Sequence, residues 1–351
     1  MVEYLMPIDP HVHLRGKEYL NHNFLKLGSR DAKEVGLAAV LEQPNPTPWL
    51  INQETIQKRL DEASYYFSDI KHSIHIGLTN DLGQVRRALE SIMERRESLI
   101  SDKTFYVHST GNMGILGPNF QRKIWELKGK MDYKGVSIGH FEDEKYFIGT
   151  FDPLKPSSHS SRQNPLSELI QVENQIKNAR DAKFRGTFYV AHVSGVQTVE
   201  YLKNEKSKLP FDVITEVTFH HMFLNSDDDY EIHGNRVKMN PPIHSRKDQE
   251  KLLEYVLEGE FDIIGTDHAP HPIERKDSSE PPSGIPALPF WPKGIELLRE
   301  EGIGEELLES LIFHNSNKIF KLDLKPKTIN VQYNPDLWND YGYNPFSRVD
   351  K

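Results

Sequence analysis

The sequence predicts an α/β protein with a single (β/α)8 TIM barrel, and three observations support this. Eight short β-rich runs recur along the 351 residues, and polar stretches with helical periodicity lie between them. Strands that alternate with helices form parallel sheets, and eight such strands favour a closed barrel over an open sheet. No glycine-rich phosphate loop follows the first run, which weakens the alternative of an open nucleotide-binding sheet.

The individual elements follow from apolar runs and helical spacing, taken in chain order. The predicted strands are residues 4–13, 36–43, 72–79, 103–109, 135–141, 186–193, 212–221 and 261–267. The clearest amphipathic helices are residues 51–67, 82–99, 166–182 and 247–257. The proline-containing segments 152–165 and 270–292 are predicted long loops, which in compact domains often form lids or binding loops. We expect residues 1–322 to form the barrel domain and residues 323–351 a C-terminal surface tail.

Composition excludes several classes of protein. A net charge of −9 without a long basic tract argues against a nucleic-acid partner. The absence of an 18-residue apolar run argues against a membrane span, and the first residues lack the features of a secretion signal, so we expect a cytoplasmic protein. The chain has 16 histidines and no cysteine, which excludes disulfides and thiolate metal sites. Any transition metal must therefore be held by imidazole and carboxylate groups.

Histidine and aspartate side chains occur where the predicted strands end. His11 and His13 alternate on the first strand and therefore point to the same side of it. His140 and His192 close the fifth and sixth strands, and Asp267 closes the eighth. Barrel enzymes place their active sites at this end of the strands. The two histidines alone could be ordinary polar groups at the barrel mouth, but the five residues together predict a metal site.

These five ligands leave room for a bridging group. They are too many for one catalytic zinc with an open position, and too few for two well-held ions. Lys103 lies on the fourth predicted strand, where a lysine is usually a surface residue with a buried stem. A lysine whose pKa is lowered by burial and nearby cations can instead react with CO2 to give a carbamate, whose two oxygens can hold two metals. Both interpretations of Lys103 are open at this point.

Six sequence motifs occur in order along the chain. They are DPHVHLR at 9–15, QPNPT at 43–47, a segment from 103 to 112 ending in STGN, EVTFHH at 216–221, KMNPP at 238–242 and GTDHAPH at 265–271. Together they resemble the amidohydrolase superfamily in its dihydroorotase form, over about residues 5–322. Little sequence flanks the motifs, so we expect no β-sandwich of the kind that many relatives carry beside the barrel.

The resemblance implies a binuclear metal centre with two Zn²⁺ per chain. The first and more buried ion would be held by His11, His13 and Asp267, and the second by His140 and His192. N6-carboxylated Lys103 would bridge the two ions. Ligation by histidine and carboxylate without thiolate is compatible with zinc.

The resemblance also implies the residues that bind substrate. Arg15 and Asn45 match the residues that grip the substrate carboxylate, and His271 matches a substrate-binding histidine beside them. Thr110 falls where relatives have a mobile loop that closes over substrate. Relatives are often homodimers, so a homodimer is a further expectation.

The implied reaction is the reversible interconversion of N-carbamoyl-L-aspartate and L-dihydroorotate in de novo pyrimidine (UMP) biosynthesis. A hydroxide between the metals would attack the ring amide carbonyl. Asp267 would act as general acid and base, taking the proton from the nucleophile and delivering it to the leaving ring nitrogen.

Two alternatives are open from the sequence. The first is another cyclic-amide hydrolase, a dihydropyrimidinase or hydantoinase, or an allantoinase, which would share the metal ligands. Arg15 and Asn45 argue against it because those substrates lack a ring carboxylate, unless Arg15 forms a structural salt bridge at the barrel rim. The second is a non-catalytic scaffold partner that resembles dihydroorotase. The six intact candidate metal positions argue against it.

Overall fold

The structure, a computed structural model, describes residues 1–94, 98–108 and 111–350. The predicted barrel is confirmed, because eight parallel strands pair in chain order. A parallel bridge joins Val12, in the first of these strands, to His268, which follows the last of them. The strands are β1 (Val2–Leu5), β2 (Ile8–Val12), β3 (Ala39–Glu42), β4 (Lys71–Gly77), β5 (Leu99–Phe105), β6 (Val136–His140), β7 (Thr187–Val190), β8 (Asp212–Thr218), β9 (Ile263–Gly265) and β10 (Thr328–Val331).

Helices follow most of the barrel strands and cover the outside of the sheet. They are α1 (Phe24–Glu34), α2 (Gln53–Ser64), α3 (Leu82–Met93), α4 (Pro118–Lys130), α5 (Ser158–Arg162), α6 (Pro165–Asp181), α7 (Val196–Glu205), α8 (Phe219–Phe223), α9 (Asp229–His233), α10 (Arg246–Leu257), α11 (Ile273–Lys276), α12 (Trp291–Glu300), α13 (Glu305–Glu309) and α14 (Asn315–Phe320). In α3, Val85, Ala88, Leu89 and Ile92 are buried, which is the spacing of one helix face. No helix within the described ranges is both long and apolar enough to cross a membrane.

The segment predicted as the first strand, residues 4–13, is two strands. β1 pairs antiparallel with β10, outside the barrel, whereas β2 is the first barrel strand. Pro7 lies between them and cannot donate a backbone hydrogen bond, so the ladder is interrupted there. In the described part of the chain, β1 and β10 form the one sheet outside the barrel.

The C-terminal segment packs against the barrel domain. Trp338, Tyr341 and Phe346 are buried, and the ring of Phe346 stacks on Phe290 with 3.9 Å between centroids. The proposed division of the chain at residue 322 stays a prediction.

The fourth barrel strand begins at Leu99 and not, as predicted, at Lys103. Lys103 therefore lies near the carboxyl end of β5. Because successive side chains of a strand face opposite sides, Lys103 and its neighbour Asp102 point in opposite directions. Asp102 contacts the surrounding helix layer, where it accepts a hydrogen bond of 2.7 Å from Lys128 Nζ on α4.

The Lys128 and Asp102 side chains form a buried ion pair that ties α4 to β5. Their exposed fractions are 1% and 0%, and Ser137 also donates to Asp102, at 3.0 Å. Lys128→Met should lower the free energy of unfolding by about 3–5 kcal/mol, because it leaves a buried carboxylate without its cation. Urea denaturation measures this change. Lys177→Met is the matched control, since its pair with Asp181 is exposed, and it should cost less than about 1 kcal/mol. Equal effects of the two substitutions would contradict the prediction.

Candidate active site

Three predicted ligands meet at the carboxyl end of the barrel. Ligand atoms of His11, His13 and Asp267 lie within 4.8 Å of one another, and all three residues are buried. Asp267 Oδ1 is 3.3 Å from His11 Nε2 and 3.0 Å from His13 Nε2. Burial alone would raise the pKa of Asp267, but the two histidines hold it well below its usual range. The carboxylate is therefore ionised and available as a ligand.

Further hydrogen bonds orient both histidine rings. His11 Nδ1 is 2.8 Å from Glu216 Oε1, and His13 Nδ1 is 2.6 Å from Asn45 Oδ1. Metal-binding histidines commonly donate their second ring N–H to a carboxylate or a carbonyl oxygen, which fixes the tautomer. With Nδ1 as the donor, both rings direct a lone pair on Nε2 towards the region of Asp267.

His140 and His192 form a second pair beside the first cluster. Their ring centroids are 4.5 Å apart, and His192 lies 5.1 Å from the ring of His11. His140 Nε2 is 2.8 Å from Glu142 Oε2, whereas His192 Nδ1 has no partner among the described residues. Burial lowers the pKa of His140 to about 3 and that of His192 well below its usual value. Both rings are therefore neutral, which is the form that binds metals.

Lys103 lies among these residues. Its Nζ is fully buried and has no hydrogen-bond partner in the described part of the chain. Burial lowers its pKa to about 8, although Glu216 and Asp267 act in the opposite direction. Besides burial, the ammonium lowers the pKa of His11, His13, His140 and His192. An unpaired buried ammonium is costly, so this position fits a lysine that is converted to an anion.

The donor set fits a metal ion that prefers imidazole and carboxylate ligands. It consists of imidazole nitrogens, the Asp267 carboxylate and the Lys103 amine, and the buried nitrogens His192 Nδ1 and Lys103 Nζ lack partners within the described residues. A further polar ligand would satisfy such atoms. The geometry thus brings all six predicted metal positions to one end of the barrel.

A cavity opens beside this cluster, and Arg15 and Asn45 line it together with the histidines and Asp267. Arg15 Nε donates to Pro270 O at 2.9 Å, and its Nη2 is 2.8 Å from His271 Nε2. Within the described ranges no carboxylate lies in ion-pair distance of Arg15. The structure therefore gives no support to a rim salt bridge.

Arg15 does not reach the cavity in the way its spacing suggests. The sequence places it on the same strand end as His13, but β2 ends at Val12. The backbone of Arg15 turns with a left-handed φ of 55°, which brings the side chain to the cavity.

His271 and Thr110 were the remaining predicted substrate contacts. His271 is fully buried and lies against Arg15, with its Nδ1 2.8 Å from the Tyr19 hydroxyl and its Nε2 2.8 Å from Ser283 O. Its contacts are those of a residue that supports the guanidinium. Thr110 lies outside the described residues.

Three residues of the site were not predicted. Glu216 and Glu142 hold His11 and His140 through their second ring nitrogens, and Asn240 lines the cavity. Burial raises the pKa of Glu216 to about 7 and that of Glu142 to about 8. An acidic residue inside or just after an apolar strand was a usable signal for both glutamates, because a charge there needs a partner.

Comparisons with known proteins identify the family. No family model matches the chain. Curated dihydroorotases match it: that of Methanosphaera stadtmanae at 30% identity over 94% of this chain and 73% of its own length, and that of Halobacterium salinarum at 28% over 80% and 63%. The dihydroorotase of Archaeoglobus fulgidus is 28% identical over 89% of this chain and 71% of its length. The chain thus spans about two thirds of the length of these relatives.

Solved structures share the fold. L-hydantoinase from Arthrobacter aurescens superposes with a TM-score of 0.76 at 19% identity, covering 94% of this chain and 74% of its own. Dihydroorotase from Campylobacter jejuni superposes with a TM-score of 0.69 at 19% identity, covering 93% and 86%. The relation to the Methanosphaera protein is close and extensive enough to decide the family. The chain belongs to the dihydroorotases, a family of cyclic amide hydrolases.

Proposed function

We propose that this protein is a dihydroorotase that interconverts L-dihydroorotate and N-carbamoyl-L-aspartate in pyrimidine biosynthesis. The observation that carries the proposal is Arg15, a 3% exposed guanidinium that lines the same cavity as the His and Asp cluster. It has no carboxylate partner among the described residues. A guanidinium fork matches a carboxylate, and the ring carboxylate of dihydroorotate would supply the missing anion.

Two lysines behind the cavity support an anionic substrate. Lys276 is fully buried and donates to three carbonyl oxygens, those of Lys238, Pro282 and Gly284, which takes all three N–H groups of an ammonium. Lys238 Nζ donates at 2.7 Å to Ser283, which lines the cavity. In the described ranges neither lysine is in ion-pair distance of a carboxylate. Burial lowers the pKa of Lys238 to about 8 and that of Lys276 well below its usual value, so a bound anion nearby would favour the charged form of both amines.

The metal ligands would be the six predicted residues. His11, His13 and Asp267 would hold one zinc ion, His140 and His192 the other, and carboxylated Lys103 both. Bound there, the two ions would lower the pKa of the attacking water and polarise the amide carbonyl. The pKa of about 8 at Lys103 favours carboxylation, because the neutral amine is the form that attacks CO2, with loss of one proton.

The remaining chemistry belongs to the chain's own side chains. The Asp267 carboxylate would accept a proton from the attacking water and deliver it to the leaving ring nitrogen. Glu216 and Asn45 would keep the rings of His11 and His13 in one tautomer. Arg15 would hold the substrate carboxylate and so place the amide carbonyl over the metal ligands.

One assay tests the proposal. Purified, zinc-loaded protein is given dihydroorotate, N-carbamoyl-aspartate, dihydrouracil, hydantoin and allantoin under the same conditions. Turnover confined to the first two supports a dihydroorotase. Preferential hydrolysis of hydantoin or dihydrouracil would establish the second candidate, which the shared fold with hydantoinases favours. No turnover, together with a failure of the protein to retain zinc after loading, would favour the non-catalytic scaffold. The homodimer and the cytoplasmic location stay predictions.

Arg15→Met should raise KM for dihydroorotate about tenfold to 100-fold, because a charge-assisted hydrogen bond to the carboxylate contributes about 1.5–3 kcal/mol. Metal content should not change, since Arg15 is not a ligand. Dihydrouracil has no carboxylate, so its rate of hydrolysis should change much less. Its inhibition constant, measured as a competitor of dihydroorotate, should also change much less. Steady-state kinetics with both compounds measures the difference. Equal losses for charged and neutral compounds would show that Arg15 serves only the structure.

A further inference from the structure

The backbone of Arg15 adopts a conformation that side chains with a Cβ rarely take. Its φ of 55° lies in the left-handed region, which costs free energy for every residue except glycine. Such a conformation persists only where the surrounding structure holds it. The contacts that hold Arg15 therefore determine where its guanidinium points.

One of these contacts comes from a helix on the outside of the barrel. Arg59, on α2, is 5% exposed, and its Nη2 donates to the backbone carbonyl oxygen of Arg15 at 2.7 Å. The contacts to Pro270 and His271 fix the tip of the Arg15 side chain. The contact from Arg59 fixes its peptide group, which sets the direction in which that side chain leaves the backbone.

A buried carboxylate holds Arg59 in place. Its Nε lies 2.9 Å from both carboxylate oxygens of Glu42, and its Nη2 lies 2.5 Å from Oε1. Glu42 is the last residue of β3, is fully buried, and also pairs with His72 Nε2 at 2.8 Å. Burial would raise the pKa of Glu42, but Arg59 and His72 lower it below its usual value. The carboxylate is thus ionised and locks the guanidinium on one side.

We infer that Arg59 is a positioning residue for carboxylate recognition. Arg59 connects Glu42, the last residue of β3, to the backbone of Arg15, which would bind the substrate carboxylate. The inference rests on the proposed role of Arg15. Arg59 does not line the cavity with the metal cluster, so its effect on substrate must pass through Arg15.

A merely structural ion pair would stabilise the protein without changing substrate affinity, so the test compares KM with kcat. Arg59→Met should raise KM for dihydroorotate about tenfold or more, which is the loss of one charge-assisted hydrogen bond in the substrate complex. We expect kcat within about threefold of the parent value and an unchanged metal content, because no ligand is touched. Unchanged KM in a folded, metal-loaded variant would overturn the inference.

Arg348 offers a matched control. Its Nε and Nη2 bind the buried carboxylate of Asp229 at 2.9 and 2.8 Å, and its Nη2 donates to Phe223 O at 2.9 Å. Arg348→Met therefore removes the same kinds of contact away from Arg15. It should lower stability and leave KM unchanged. An equal rise in KM would show that losing any arginine that pairs with a buried carboxylate disturbs the site.

A double variant separates positioning from stability. In an Arg15→Met background, Arg59→Met should raise KM by less than about twofold further, because the guanidinium that Arg59 positions has been removed. Multiplied effects of the two substitutions would overturn the inference. If Arg59→Met does not fold, Arg59→Lys replaces it, since one ammonium cannot reproduce the fork that spans Glu42 and Arg15 O.

A crystal structure of the Arg59 variant gives a readout that does not depend on activity. Arg15 should leave the left-handed region or its guanidinium should turn away from the cavity. An Arg15 that keeps both would overturn the inference even if the protein proved not to be a dihydroorotase. Failure of the wild-type protein to turn over dihydroorotate would instead overturn the proposed function, which keeps the two outcomes apart.

Discussion

Lys103→Ala is expected to remove bound zinc and activity together. Every other group of the proposed centre would contact one ion, so the lysine carbamate would be the one protein ligand common to both. Losing a partner of a metal ligand already costs about 10–100-fold, and losing the bridge should lower kcat/KM for dihydroorotate by more than about 100-fold. Metal analysis of the purified variant and the kinetic assay are made on the same preparation.

Two further measurements show whether activity requires the carbamate at Lys103 or only the positive charge of its side chain. Lys103→Arg keeps a cation at this buried position but cannot form the carbamate, so it should be as inactive as Lys103→Ala. Short carboxylic acids such as acetate or propionate should restore part of the activity of Lys103→Ala, because they bring two anionic oxygens into the space left by the side chain. Full activity of Lys103→Ala with two zinc ions bound, or an active Lys103→Arg, would contradict the bridging role.

The barrel could be predicted because its signals are local. Apolar runs, helical spacing and turn residues recur with each strand and helix, and each needs only its own segment to be recognised. The pairing of β1 with β10 has no local signal, because Val2 and Val331 are neighbours only in the folded chain. For the same reason the sequence merged β1 with β2, although Pro7 marks the interruption.

In the site, too, local features could be predicted and contacts between distant segments could not. The position of five candidate ligands at the barrel mouth could be predicted because each lies at the end of a barrel strand: His11, His13, His140, His192 and Asp267. Which group holds each ring could not be found, because those contacts cross the barrel. Glu216 on β8 reaches His11 on β2 over a separation of 205 residues.

The position of Arg15 shows how far a spacing argument reaches. The even spacing of Arg15 from His13 suggests that both lie on one face of a strand. However, β2 ends at Val12, and Arg15 has a left-handed backbone conformation that turns the chain. Arg15 lines the cavity, and it is held there by contacts with Arg59, Pro270 and His271 that no periodicity encodes. Function-bearing residues are often held in such conformations, which only the complete fold can stabilise.

Asp267→Asn is the second substitution expected to have a very large effect. Asparagine retains an oxygen that can contact His13 and a metal ion, but it is neutral and a very poor base. General acid–base catalysis contributes about 10²–10⁴-fold, so kcat should fall by at least about 10³-fold once the weaker ligand is included. The change should leave the backbone intact, because Asp267 has a φ of 46° and asparagine tolerates the left-handed region as well as aspartate does.

The two directions of the reaction provide an internal check on Asp267→Asn. The overall equilibrium is unchanged by any substitution, so kcat/KM for dihydroorotate and for N-carbamoyl-aspartate must fall by the same factor. Asp277→Asn is the control: this carboxylate lies in the same segment after β9, is about half exposed, and pairs with Arg236 at 2.8 Å. It should leave both constants within about twofold, as expected for a surface ion pair.

An Asp267→Asn variant that keeps most of its kcat with both zinc ions bound would show that another group moves the proton. Glu216 would then be the next residue to test, because burial already raises its pKa to about 7.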